Sequence, residues 1–414
     1  MTTSRSIHDD PGQHDPGQHN KAANTAIIAG AGIAGLAIAP VLAACGIEVT
    51  LLDNGGPPPV GGYQLAPNAW QALAELGLEE KARQHAMMLS GLRLVGLESG
   101  HTLVGLSLND RPIRSPYASI RRSQLLAVLR QAAEAQANIR FVSGKLQQIS
   151  STTSGVTLQL ADGSTLHGGF LFGCDGSNGI CRRFVTAEQQ PDHTPPSASV
   201  PAASRMAVRA IIDTDGLPAV LRAAASTLWL GRGGHIVHYP VDQGRLLNLV
   251  VVTGRQRDPL NAAAALLQKQ PLLTALAEPL QHNGITQPLA NWPLLGSWQR
   301  GRVMLVGDAA HPMPPHLAQG AAQGLQDAAI LKQWLARSGQ TVSAMSGIAA
   351  LDAIISQWHA SRMKMIRRMV SRAGLAGRIF GLDGTAARLR NIGLGLAGEV
   401  LLGRQIEALW ASKH

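Results

Sequence analysis

Apolar positions along the chain fall into short solid runs, helical periods and alternating stretches, in an order that predicts the architecture. Thr25–Ala29 is a solid apolar run. A Gly-rich turn and an Ala/Leu segment to about Cys45 follow, and Glu48–Leu52 then ends at Asp53. Short runs bounded by glycine around one longer segment predict strand, helix, strand. Pro67–Leu78 carries Ala69, Ala72, Leu73 and Leu76 at helical spacing and closes at Gly77. Ser123–Gln136 repeats that period with Leu125, Leu126, Val128 and Leu129. Val156–Leu160 and Thr165–Leu166, split by Asp162-Gly163, predict a hairpin with a type I′ turn. Phe170–Gly173 reads as a buried strand running into Cys174-Asp175-Gly176.

Between residues 188 and 204 Pro, Ser and Ala accumulate, which predicts a linker. Strand patterns then dominate: Ala207–Ile212, Thr227–Leu230, His235–Tyr239 and Leu246–Val252, with an Ala/Leu helix at Ala262–Leu267. Arg302–Val306 returns to a buried strand, Ala321–Ala336 reads as a helix, and everything from about 350 reads helical. The expected organisation is an α/β domain at 25–187 and 291–345, a mainly β insert at 188–290, and C-terminal helices at 346–414. Residues 1–24 are polar, with a tandem DPGQH, and are expected to form a disordered tail.

Composition narrows the class. Apolar residues are 45% and charged residues 15% of the chain, enough for a large core, whereas aromatics are only 4%. Three scattered cysteines (Cys45, Cys174, Cys181) suit neither a disulfide framework nor a zinc site, and no metal is expected. A net charge of +10 raises nucleic acid and anionic membranes as partners. Dispersed cations and scarce stacking rings argue against nucleic acid. Ala22–Ile47 is uncharged, but Gly30, Gly32, Gly35 and Pro40 interrupt it, and no signal-peptide pattern precedes it. A cytoplasmic protein is expected.

Two constellations carry chemistry. Gly30-Ala31-Gly32-Ile33-Ala34-Gly35 stands between a strand and a helix, and Asp53 follows 18 residues after the last glycine. The first glycine permits a tight turn, the second lets a pyrophosphate approach the backbone, and the third lets helix and strand pack closely. The helix N-terminus offers free N–H groups to phosphates, and the carboxylate can accept from a ribose diol. Pro40 should remove one hydrogen bond from this helix. In the second constellation Gly307-Asp308-Ala309-Ala310-His311-Pro312 runs through Pro315, His316 and Gln319 into Gly320-Ala321, which opens a new helix.

These residues resemble the single-component, FAD-dependent aromatic hydroxylases of the p-hydroxybenzoate and salicylate hydroxylase type, over about residues 25–375. The resemblance implies a Rossmann-like FAD-binding domain, an inserted mainly β substrate domain and a C-terminal helical segment. It implies non-covalent FAD, NADH or NADPH as reductant, and O₂ as co-substrate. Oxygen would reach a small aromatic or heteroaromatic substrate through a flavin hydroperoxide. Cofactor contacts carried over by position are Gly30, Gly32, Ile33, Ala34, Gly35, Asp53, Arg122, Asp175, Gly307, Asp308, Pro315, Gly320 and Ala321, with Arg121 facing solvent. Arg209, His238, Tyr239, His311 and His316 are the substrate-side candidates, each also open to a purely structural role, and no catalytic base is named. Where the family carries an acid after the flavin loop, Gln326 stands first here, leaving Asp327 to supply the carboxylate. Monomer and homodimer both fit. Rival readings are a halogenase or dehydrogenase type of flavoenzyme, a flavin-binding module without turnover, and a membrane-associated hydroxylase of apolar quinone-like substrates. A basic amphipathic stretch at 359–378 either touches an anionic membrane weakly or covers the FAD domain.

Overall fold

Thr25–Ala29 forms the centre of a six-stranded sheet, because Ala26, Ile27, Ile28 and Ala29 are all buried and offer an apolar surface to both faces. It pairs in parallel with Glu48–Asp53 on one side and Phe170–Gly173 on the other. Ile139–Ser143 and Val303–Leu305 extend the parallel order, and Gln299–Arg300 closes one edge antiparallel. Parallel neighbours need crossovers, and the helix Ile33–Ala44 makes the first, running unbroken through Pro40. Helices Ile33–Ala44, Arg122–Glu134 and Gly320–Arg337 share one core with this sheet through Ile28, Leu36, Leu42, Leu125 and Leu325. Ile27, Leu171 and Leu305 belong to a second core, with Leu158 of a three-stranded sheet. A Rossmann-like domain results. The computed structural model describes residues 24–57, 60–109, 115–187, 205–290, 292–337, 348–382 and 384–410. The DPGQH repeat and the 188–204 linker lie outside the described residues.

The expected hairpin forms, with Val156–Leu160 antiparallel to Thr165–Gly168, but its turn is not type I′. Only Gly163 is left-handed (φ 85°), and Asp162 is not. Type I′ needs both central residues there. Instead the Asp162 side chain accepts the Ser164 N–H at 3.0 Å, and Gly163 donates to the Leu160 carbonyl.

A second sheet has seven strands. In spatial order they are Ile285–Leu289, Arg205–Asp213, Leu246–Gly254, Gly234–Val241, Ala225–Gly231, Gly91–Gly96 and Thr102–Ser107. The last two lie inside the range expected for the first domain, so the 25–187 boundary is corrected here. Gly91–Gly96 pairs in parallel with Ala225–Gly231. These strands are short and half-exposed, and no composition shift marks where the chain leaves one sheet for the other. Helices Pro259–Leu267 and Ala277–Asn283 cover one face of this sheet through Trp229, Ile236, Val251 and Leu267. Its other face turns toward the first domain.

The chain ends in two long helices, Ile348–Phe380 and Gly384–Trp410, separated at a left-handed Gly384 (φ 58°). Arg362, expected among the solvated cations of 359–378, is instead fully buried, as are Trp358 and Ile366. Among the described residues no helix is long and apolar enough to cross a membrane.

Candidate active site

The three glycines of the first turn meet three different surroundings. Gly30 takes φ 109°, and a Cβ there would sit 2.5 Å from the Cys174 carbonyl oxygen. A Cβ on Gly35 would collide with the Gly30 carbonyl oxygen. Around Gly32, at the N-cap of the helix, nothing lies within 4 Å of a Cβ position. So Gly35 brings helix and strand together and Gly30 lets the turn pass the backbone at Cys174, while Gly32 fronts open space before the helix N-terminus. That is the shape a pyrophosphate needs, and the cradle fits FAD.

Beside the cradle lies a cavity of about 550 Å³ between the two sheets. Gly32, Ile33 and Ala34 line it from the first turn, and Gly307, Asp308, Pro315, Gly320 and Ala321 from the second. Arg122 reaches in over the Tyr63 ring, 4.6 Å from its centroid, and its buried Nε has no hydrogen-bond partner among the described residues. Arg121 is half-exposed and lies 3.9 Å from Asp242. Asp308 opens to the cavity, yet desolvation by its walls raises the carboxyl above the usual range, with His311 and Arg122 pulling the other way. Such a carboxyl is ready to engage hydroxyl groups of a bound cofactor. Ala318 is held left-handed (φ 52°) in the loop between Pro315 and Gly320.

Other candidates sit away from the cavity lining. Asp53 accepts from Arg130 at 3.0 Å, at the C-terminal end of its strand. Asp175 accepts the Cys181 N–H at 2.9 Å and so shapes the turn into the helix Ile180–Thr186. Arg182, beyond it, donates to the Ala309 and Ala310 carbonyls at 2.8 and 3.2 Å and clamps the second constellation from behind.

The second sheet sorts the substrate-side candidates by parity. Arg209 and Tyr239 line the cavity from this sheet, and His316 lines it from the loop before Gly320. Arg209 donates from Nε to Gln287 Oε1 at 3.2 Å. Its pKa falls to about 10 through desolvation, then Arg122, and no carboxylate of the described residues pairs with it. Burial pushes the Tyr239 hydroxyl up to about 12. His238, one residue away, points to the opposite face and stacks on Trp229 at 6.2 Å, so it is not a cavity residue. His311 is also corrected: its Nε2 is 2.8 Å from Asp327 Oδ2, its ring packs on Trp298, and it is buried behind the loop.

Sequence reasoning missed His235, Tyr63, Tyr117 and Trp410, which also line the cavity. His235 was within reach of a simple signal, since alternation puts His235, Val237 and Tyr239 on one face. The His235 and His316 rings lie 5.5 Å apart. Burial keeps both neutral, near pKa 3 and 4, with Arg205 adding to it.

Asp327 is the hub behind the site. It accepts from the Gly307 N–H at 2.9 Å, from Arg362 Nε at 2.8 Å and from His311. Burial alone would raise this carboxyl, but His311 and Arg362 together pull it down to about 2. Gln326, where the resemblance implies an acid, accepts from Asn68 Nδ2 at 3.5 Å.

Residues 23–373 match the model of the FAD binding domain family. Among curated proteins the chain is 30% identical over 370 residues to the 3-hydroxybenzoate 6-hydroxylase of Klebsiella oxytoca, covering 85% of this chain and 87% of that one. It is 28% identical over 298 residues to the 6-hydroxynicotinate 3-monooxygenase of Bordetella bronchiseptica, covering 67% and 73%. Among solved structures, Klebsiella pneumoniae HpxO complexed with FAD and uric acid superposes with a TM-score of 0.78 at 20% identity, covering 93% of this chain and 95% of that one. The chain belongs to the FAD-binding family of flavoprotein aromatic hydroxylases. It is an FAD-dependent monooxygenase of aromatic substrates, with NAD(P)H as reductant.

Proposed function

We propose that the substrate is a small aromatic or heteroaromatic ring bearing an acidic group, and that Arg209 receives that group. The observation that carries this reading is the Arg209 guanidinium itself, set in the cavity wall with a neutral amide as its side-chain partner. A cation desolvated there gains most from a ligand carboxylate or phenolate. The 3-hydroxybenzoate and 6-hydroxynicotinate hydroxylases similar to this chain act on ring acids, which supports the same class. Leu92, Leu94, Leu228 and Val237 would hold the apolar ring, and burial among them would exclude water.

In this reading Gly32 and the helix behind it hold the FAD pyrophosphate, Asp53 its ribose and Asp308 its polyol chain. Arg122 and the N–H groups of Gly320 and Ala321 face the flavin ring. FAD supplies the electron transfer and oxygen activation; the protein binds, orients and keeps the site dry. His235 and His316 stay neutral at physiological pH and act as hydrogen-bonding walls rather than as charges. A second cleft of about 710 Å³ shares Asp308, Pro315 and His316 with the first and is bordered by Arg205 and Arg378. It is the proposed docking place of NAD(P)H. The deciding experiment screens aromatic acids for stimulated NAD(P)H oxidation and weighs the product for one added oxygen. Stimulation confined to uncharged aromatics would refute the role given to Arg209.

A further inference from the structure

We propose that the exposed apolar stripe of the last helix docks on an anionic lipid bilayer. Leu389, Ile392, Leu396 and Val400 recur at helical spacing along Gly384–Trp410 and are 65%, 59%, 84% and 59% exposed. They are the four most exposed large apolar residues of the described chain. The opposite side of this helix is occupied: a Cβ on Gly398 would sit 2.5 Å from Val104, and Leu402, Ile406 and Trp410 line the substrate cavity. The exposed stripe therefore has no partner within the described residues.

Charge selects the partner. On the preceding helix Lys364, Arg368, Arg372, Leu375 and Ile379 follow one another at helical spacing, all exposed. No acidic residue occurs between Asp352 and Asp383, and exposed Arg388 and Arg404 flank the apolar stripe, outnumbering the exposed Glu399 beside it. A symmetric second copy would bring these cations against their own likeness. A surface of apolar chains under anionic headgroups satisfies both the stripe and the cations. Because no described helix can cross a membrane, the helices would lie along the surface.

The test is flotation of the FAD-loaded protein with vesicles of phosphatidylglycerol and phosphatidylcholine, or of phosphatidylcholine alone. Binding to the anionic vesicles should exceed binding to the neutral ones by about tenfold and fall with salt. Leu389→Glu with Leu396→Glu should abolish it, leaving FAD content and thermal midpoint unchanged, since both side chains are exposed. Arg368→Glu with Arg372→Glu should weaken it. Failure of the wild type to float, or equal flotation on both vesicles, would overturn the proposal. So would a dimer in solution that the leucine variant splits, because the face would then belong to a second copy.

Discussion

Arg362 donates from Nε to Asp327 Oδ1 at 2.8 Å inside the protein, fastening the long C-terminal helix to the helix that follows the flavin loop. Both side chains are fully buried, and each is otherwise satisfied: Asp327 by His311 and the Gly307 N–H, Arg362 by Gln323 Oε1 at 2.9 Å. A buried pair adds little over a well-packed apolar pair, but breaking one side strands a charge. Arg362→Met should therefore cost about 3–5 kcal/mol and loosen FAD, because Gly307 and His311 share the carboxylate. The double variant with Asp327→Leu should be less destabilised than the sum of the single ones. Thermal melts and flavin content measure both effects, and additive losses would show that the pair is not a coupled unit.

The glycine turn separates folding from cofactor binding. Gly32→Asp keeps a good N-cap residue and meets no atom within 4 Å at Cβ, but it places a carboxylate where the pyrophosphate is expected. The apo-protein's thermal midpoint should hold while FAD affinity falls at least ~tenfold. Gly35→Ala should do the reverse, destabilising the apo-protein by about 1–3 kcal/mol, since its Cβ runs into the Gly30 carbonyl. Unaltered FAD affinity in Gly32→Asp would move the pyrophosphate elsewhere.

Four desolvated histidines, three of them buried and His316 half-buried, set an acid limit. Desolvation lowers His238, His316 and His359 to about pKa 4 and His235 to about 3. Unfolded histidine titrates near ~6.5. These depressed groups therefore contribute stability that is complete above that value and is lost as pH falls toward 4 and 3. The thermal midpoint should decline steadily below about pH 6.5, well before carboxylates protonate. His238→Gln should flatten the decline, as one fewer proton is taken up on unfolding. A midpoint constant between pH 7 and 5 would exclude this linkage. Asp327, held near 2, adds a separate loss as pH falls from about 4 toward 2.

What the sequence made legible follows from how local each constraint is. The Gly30–Gly35 turn and the strands around it were readable because one segment of backbone carries the whole requirement. Asp327 was readable only as a leftover acid, since its partners Arg362 and His311 come from other segments brought together by folding. Arg362 looked like a solvated cation, because in sequence it sits among solvated ones. The family resemblance points to His238 and Tyr239 together, although period-two alternation puts those neighbours on opposite faces. The strands at 91–107 escaped notice because their pairing with Ala225–Gly231 is long-range and leaves no compositional trace.

The proposed role of Arg209 sets the expected substrate class. It stands on the cavity face of Arg205–Asp213, opposite Val250 in register, with Gln287 as its side-chain partner. If a ligand carboxylate or phenolate pairs with it, truncation leaves that charge uncompensated, at ~2–5 kcal/mol in binding. Arg209→Ala should raise the substrate KM at least tenfold with FAD content intact. Arg209→Lys should recover only part of the loss, lacking the planar two-pronged donor. Uncharged analogues should be bound equally by all three proteins, which separates charge recognition from a distorted cavity. Kinetics within twofold of wild type for both variants would free the 205–213 strand from substrate recognition. The acidic group would then be sought near His235 and His316, whose neutral rings line the same cavity.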